Sequence, residues 1–197
     1  MSRGKQYSDL LVAQYENGAA LTASVTETRI QAATARCTLG GGYFDQLGKT
    51  LEVSARGRIT TVVTTPGTLT LRLKFGSTVT TGTGAVTGGV SVWDSGAIAL
   101  NIVAKTNVTW WLDLLLTVQV LGDGALAKLL GVGKFVSEAL VGATAGQPLD
   151  FLLPASAPVQ GTGFDANAAQ TVDLSAQWSI NNADSIQTHL YVVKALN

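Results

Sequence analysis

The sequence predicts an all-β protein: an antiparallel two-sheet β-sandwich of jelly-roll type with an extended N-terminal arm. Three observations carry that reading. Thr, Val, Leu, Ala and Gly dominate the alphabet, which suits pleated strands and the turns between them. Several long stretches alternate apolar and polar residues with the period of a strand. Past the N-terminal region no helical period stands out, and the connections are very unequal in length. An immunoglobulin-like sandwich is the runner-up. It uses about 100 residues and shorter strands, whereas the strands here run about 10–15 residues.

The elements follow in order. Residues 1–33 are polar and mixed, with Lys5, Glu16, Glu27 and Arg29, and read as an arm lying on another surface such as that of a neighbouring subunit. Leu10, Leu11, Gln14 and Tyr15 suit a short helix stopped by Asn17-Gly18. Leu10, Leu11 and Tyr15 are the arm's candidate partner-binding anchors, because apolar and aromatic side chains carry most interface energy. A competing reading, of equal weight, makes the region a first strand and loop of the same domain, with Ala20 to Ile30 at a sheet edge.

The sandwich domain is assigned to 34–197. From Thr50 to Val63, Leu51, Val53, Ala55 and Ile59 face one way and Glu52, Ser54, Arg56 and Arg58 the other. Thr65-Pro66-Gly67 is a turn. Leu69, Leu71, Leu73 and Phe75 then alternate with Thr70, Arg72 and Lys74. Residues 76–89 hold five Gly, five Thr and one Ser in 14 residues and read as a surface loop without core contacts. Val90 to Leu100 is a strand kinked at Ser95-Gly96. Thr106 to Leu121 is a long strand with Val108, Trp110, Leu112, Leu114, Leu116, Val118 and Val120 on one face, and Thr109, Asp113, Thr117 and Gln119 on the other. Leu129 to Val141 is the next strand, residues 142–163 a loop, and Thr171 to Ile180 and Ile186 to Leu196 the last two strands. Leu71, Leu73, Leu112, Leu114, Val172 and Trp178 are the expected core. Trp110 and Trp111 are adjacent, so on a strand their rings face opposite ways. One belongs to the core. The other lies at a second buried surface or, as Trp111, anchors a subunit interface.

Charge narrows the function classes. Charged residues make up 13 % of the chain, and 13 basic side chains balance 13 acidic ones. That balance argues against nucleic acid as a partner, since phosphate neutralisation needs a basic surplus. So sparse a charge promotes association, and the surface therefore expects a protein partner. The apolar run Val108 to Leu121 is about 14 residues long and carries Asp113, too short and too polar to span a bilayer, so no membrane partner is expected. Arg3 and Lys5 precede Tyr7, Ser8 and Asp9 rather than an apolar run, so no leader is expected either, and assembly in a cytoplasm follows.

No catalytic, cofactor or metal site is legible. Gly131-Val132-Gly133-Lys134 glances at a phosphate-binding loop, but position 128 is Lys and 135 is Phe. Residues 82–89 miss the dinucleotide fingerprint because 87 is Thr. Cys37 and His189 are the only residues of their kinds. Cys37 reads as a buried small hydrophobe and His189 as a packing or hydrogen-bonding residue. Asp94, Asp113, Asp123, Asp150, Asp165, Asp173 and Asp184 are scattered and assigned mostly to turns. No enzyme is expected. A sugar-binding module would rely on Trp93, Trp111 and Tyr191.

The run Tyr43-Phe44-Asp45-Gln46-Leu47-Gly48-Lys49-Thr50-Leu51, then Ala55-Arg56-Gly57-Arg58-Ile59, then Thr65-Pro66-Gly67-Thr68-Leu69-Thr70-Leu71-Arg72 resembles a family of tailed-bacteriophage virion proteins. The likeness continues through Asp94-Ser95-Gly96-Ala97, Ala104 to Trp110, Leu153 to Pro158, Gly163-Phe164-Asp165 and Asn182 to Gln187, over residues 22–197. It implies a virion structural protein, a capsid decoration or head-spike subunit on the capsid exterior. Its expected partners are other virion proteins, the major capsid protein foremost, and copies of itself, as a homotrimer by analogy with particle jelly rolls. A tail or baseplate component is the alternative. No functional residues come with the resemblance.

Overall fold

The computed structural model describes residues 8–62 and 64–196. Residues 1–7 of the expected arm, with Arg3 and Lys5, the strand end expected at Val63, and Asn197 lie outside the described residues. The strands in chain order are β1 (Ser8–Ala13), β2 (Leu21–Thr22), β3 (Thr28–Arg29), β4 (Cys37–Leu39), β5 (Thr50–Thr61), β6 (Thr68–Phe75), β7 (Thr78–Val79), β8 (Val86–Thr87), β9 (Val90–Asp94), β10 (Ile98–Ala99), β11 (Lys105–Val120), β12 (Lys128–Ser137), β13 (Leu149–Leu153), β14 (Gln170–Trp178) and β15 (Ser185–Leu196). One sheet has seven strands in the order β1-β15-β5-β11-β12-β13, with β2 also on β15. The other has six, β10-β6-β14-β3, with β4 on β14 and β9 on β6. All their pairings are antiparallel. The protein is an all-β antiparallel sandwich, as the alternation predicts.

Alternation decides which side of each strand faces the core. Leu51, Val53, Ala55 and Ile59 of β5 are fully buried, as are Leu69, Leu71 and Leu73 of β6. Leu112 and Leu114 of β11 meet Val172 and Trp178 of β14 in the same core. Each such side chain removed from water stabilises the fold by about 1.5–3 kcal/mol. Aromatic rings fill the wide end. The Phe44 ring lies 5.4 Å from Phe75 and 5.1 Å from Phe164, and Trp110 stacks on Phe135 at 5.7 Å. The glycine pair of the failed phosphate-loop motif is a packing device. A Cβ at Gly131 would stand 2.4 Å from Cδ1 of Trp93, and one at Gly133 would stand 2.2 Å from the Asp113 carbonyl oxygen.

Several expectations are corrected. Leu10 and Leu11 lie in strand β1, not in a helix, because the β15 edge satisfies the backbone of 8–13. Residues 8–33 are built into the sandwich rather than set apart from it. Leu21 and Ile30 enter the core, and the Ile30 amide donates to the Leu174 carbonyl at 3.0 Å. Residues 76–89 carry the β7–β8 hairpin and bury Ser77 and Val86. The loop expected over 142–163 contains β13, whose Leu149-Asp150-Phe151-Leu152-Leu153 pairs with β12. Asp150, read as part of that loop, sits in β13, while Asp113 and Asp173 lie in the strands expected for them. Cys37 is half-buried, packed against the core.

Candidate interaction face

The seven-stranded sheet turns one face to the core, and among the described residues nothing covers the other. The registers align the outward residues into rows across the strands. One row runs Leu10, Lys194, Glu52, Leu115, Val132. The next runs Val192, Ser54, Asp113, Lys134, Leu152, and a third Leu190, Arg56, Trp111, Val136, Asp150. Apolar side chains hold the middle. Trp111 and Leu115 are each 46 % exposed, Val132 43 % and Leu152 78 %. So many large apolar groups on adjacent strands are unusual for a surface that meets only water.

The charges on this face cancel in place. Lys194 Nζ lies 3.4 Å from Glu52, Arg56 3.3 Å from Asp113, and Lys134 3.6 Å from Asp150. The Ser54 hydroxyl also donates to Asp113 at 3.0 Å, and the Arg56 guanidinium lies over the Trp111 ring at 5.2 Å. The face therefore has an apolar centre with paired charges around it, the composition of an interface core and rim. Beside the middle row a groove of about 920 Å³ is floored by Leu115, Val132 and Leu152 and walled by Pro154, Ser156 and Pro158.

The four residues expected to bind a partner divide. Leu10, 62 % exposed, and Trp111 share this face, although two strands separate β1 from β11. Tyr15 is exposed just beyond β1, outside the rows. Leu11 packs against the core next to a bulge in β1, so it holds the edge strand down. Sequence reasoning missed Leu115, Val132 and Leu152. The signal was present at Leu115, which with Trp111 breaks the run of polar outward positions on β11. Leu152 was hidden because Leu149 to Leu153 was read as part of a loop.

Of the three side chains a sugar-binding module would use, Trp93 is 3 % exposed and Tyr191 fully buried, which leaves Trp111 alone. His189 Nδ1 lies 2.7 Å from the Asn17 side-chain oxygen, tying the segment after β1 to β15. Burial pushes the Cys37 thiol up to about 11, with the nearby Asp173 carboxylate adding to the effect, so it is a poor nucleophile at neutral pH. Compared with protein families and with curated proteins, the chain matches none.

Proposed function

We propose that the protein is a structural subunit that works by burying the open face of its seven-stranded sheet against other copies and against a larger shell. The observation that carries this reading is the apolar patch of Trp111, Leu115, Val132 and Leu152, on three adjacent strands of a face whose ion pairs are already satisfied within the chain. The resemblance to tailed-phage virion proteins gives the shell its identity. The chain is read as a jelly-roll-type decoration or head-spike subunit, a homotrimer on the capsid exterior with the major capsid protein as its neighbour. A tail or baseplate position would use the same face.

The test pairs the full chain with a double variant, Leu115→Asp with Leu152→Asp. Both positions point away from the core, so the melting temperature stays within the range of an ordinary surface change, about ±0.5 kcal/mol. Sedimentation of the unaltered chain at micromolar concentration is expected to give a trimer, and the variant a monomer. Binding to shells that lack the protein falls at least tenfold, which is about 1.4 kcal/mol. A monodisperse monomer for the unaltered chain, or undiminished shell binding by the variant, overturns the reading.

A further inference from the structure

On the opposite side of the molecule, the outward residues of the six-stranded sheet form a charged network. At its centre Asp173 is fully buried, and its two oxygens are saturated. Oδ1 accepts from Gln31 Nε2 at 3.1 Å and from Arg36 Nε at 3.1 Å. Oδ2 accepts from Arg36 Nη2 at 2.9 Å and from the Ser77 hydroxyl at 2.6 Å. Arg36 also donates to the Ser77 carbonyl. Asp173 therefore has no acceptor capacity left for a second guanidinium.

Arg29 is that second guanidinium. It is half-buried at the end of β3, close enough to feel both the attraction of Asp173 and the repulsion of Arg36. Its Nε is buried with no hydrogen-bond partner, and it makes no ion pair among the described residues. A buried donor without an acceptor costs about 1–3 kcal/mol, more for a charged group. Beside it opens a cleft of about 660 Å³ between the Glu16–Ala19 segment and the tip of the β7–β8 hairpin, with Arg29 and Arg36 both in its wall. The rim carries one carboxylate, Glu16, whose Oε1 accepts from the Thr34 hydroxyl at 2.6 Å.

We infer that this cleft is a binding site for a single carboxylate group, held by the forked guanidinium of Arg29 with Arg36 fixed behind it. The fork offers parallel N–H donors at the spacing of two carboxylate oxygens. Charge selects the class. Asp173 pairs with Arg36, and Glu16 on the rim offsets the charge of Arg29 without pairing with it, so the cleft is close to neutral before a ligand enters; a carboxylate adds one negative charge there, and a phosphate dianion would add two. The source is a small free carboxylic acid or an Asp or Glu side chain of a neighbouring protein. The inference uses none of the residues of the open face and stands apart from the assembly reading.

The full chain, labelled with ¹⁵N, is titrated with acetate while the Arg29 Nε–H signal and the backbone amides of Gly82 and Gly84 in the cleft wall are followed, the amides serving for the Arg29 variant, with chloride at matched ionic strength and inorganic phosphate in parallel. Acetate is expected to give a saturable shift, chloride none, and phosphate a weaker one. Arg29→Lys keeps the charge and loses the fork, and should weaken acetate at least tenfold. Thr81→Glu, on the exposed hairpin tip, should do the same by repulsion and decides the matter should Arg29→Lys not fold. No saturable shift, or acetate affinity within twofold in Thr81→Glu, overturns the site. Phosphate binding tighter than acetate overturns the carboxylate class. Sedimentation at saturating acetate then separates the sources: dissociation of self-associated protein supports a neighbour's side chain, and an unchanged state supports a free acid.

Discussion

The two outer faces of the sandwich solve the same problem in opposite ways. The six-stranded sheet carries charge outward, in Arg72, Lys74 and Asp173, and then covers it with the chain's own N-terminal segment. Glu27 takes Lys74 at 3.4 Å and Arg72 at 3.8 Å, while Gln31 bridges Asp173 and the Leu174 amide. The seven-stranded sheet carries apolar groups outward and has no cover among the described residues. A covered polar face must satisfy every group internally, because water is gone. An open face can leave apolar groups for another chain to bury. Charge at a covered face therefore reports internal construction, and apolar surface at an open one is what the proposed assembly would bury.

The largest effect that would break this comparison is loss of the cover. Deleting residues 1–33 removes Leu21 and Ile30 from the core, each worth about 2–5 kcal/mol, against a typical total stability of about 5–15 kcal/mol. The shortened chain is expected to show no cooperative thermal transition by circular dichroism. A transition like that of the full chain would mean that the segment is ornament.

Next comes the centre of the covered face. Asp173→Ala leaves Arg36, Gln31 and Ser77 without their acceptor and is expected to cost about 3–5 kcal/mol in urea denaturation. A loss under 1 kcal/mol would mean that water enters the network freely.

A smaller effect is read through pH. Asp184 is buried between the two sheets' connections; its Oδ1 accepts the Val62 amide at 2.8 Å, while Oδ2 has no partner. Burial raises its pKa, and the Val62 and Asn182 hydrogen bonds only partly oppose that. The folded state then holds this proton more tightly than the unfolded chain, so its contribution to stability falls as pH rises from the ordinary carboxylate range through the raised value. Asp184→Asn keeps an oxygen for the Val62 amide and should flatten that decline. Identical pH–stability curves for the two proteins would remove Asp184 from the account.

The smallest effect belongs to the open face. Arg56 and Asp113 are 37 % and 36 % exposed, and a double-mutant cycle on the pair should give about 0.2–1 kcal/mol. A coupling as large as the Asp173 loss would mean that the face is already shielded in the isolated chain.

Legibility follows the range of the interaction. The inward residues of β5, β6 and β11 could be named from the sequence because a two-residue period is local. β2 and β3 have two residues each, too few to show a period, and their pairing depends on the edges of β15 and β14 being free to receive them. Asp173 could be placed on a strand but not in a network, since nothing beside it in sequence announces Arg36, Gln31 and Ser77. Leu10 and Trp111 could be picked from the sequence as candidates, Leu10 as an apolar anchor of the N-terminal region and Trp111 as one of two adjacent rings, and both are exposed. That they share a face with Leu152 was not legible there.

What the sequence by itself determined is therefore the class of fold, the core side of each long strand and the sparse, balanced charge. These rest on composition and on alternation between neighbouring residues. Tertiary structure alone decided which outer face is covered, that Trp93 and Tyr191 are spent in the core, and that Arg29 is left beside an already saturated carboxylate. Each of those depends on strands brought together from distant parts of the chain, and sheet order and register leave no mark in the local pattern of either strand.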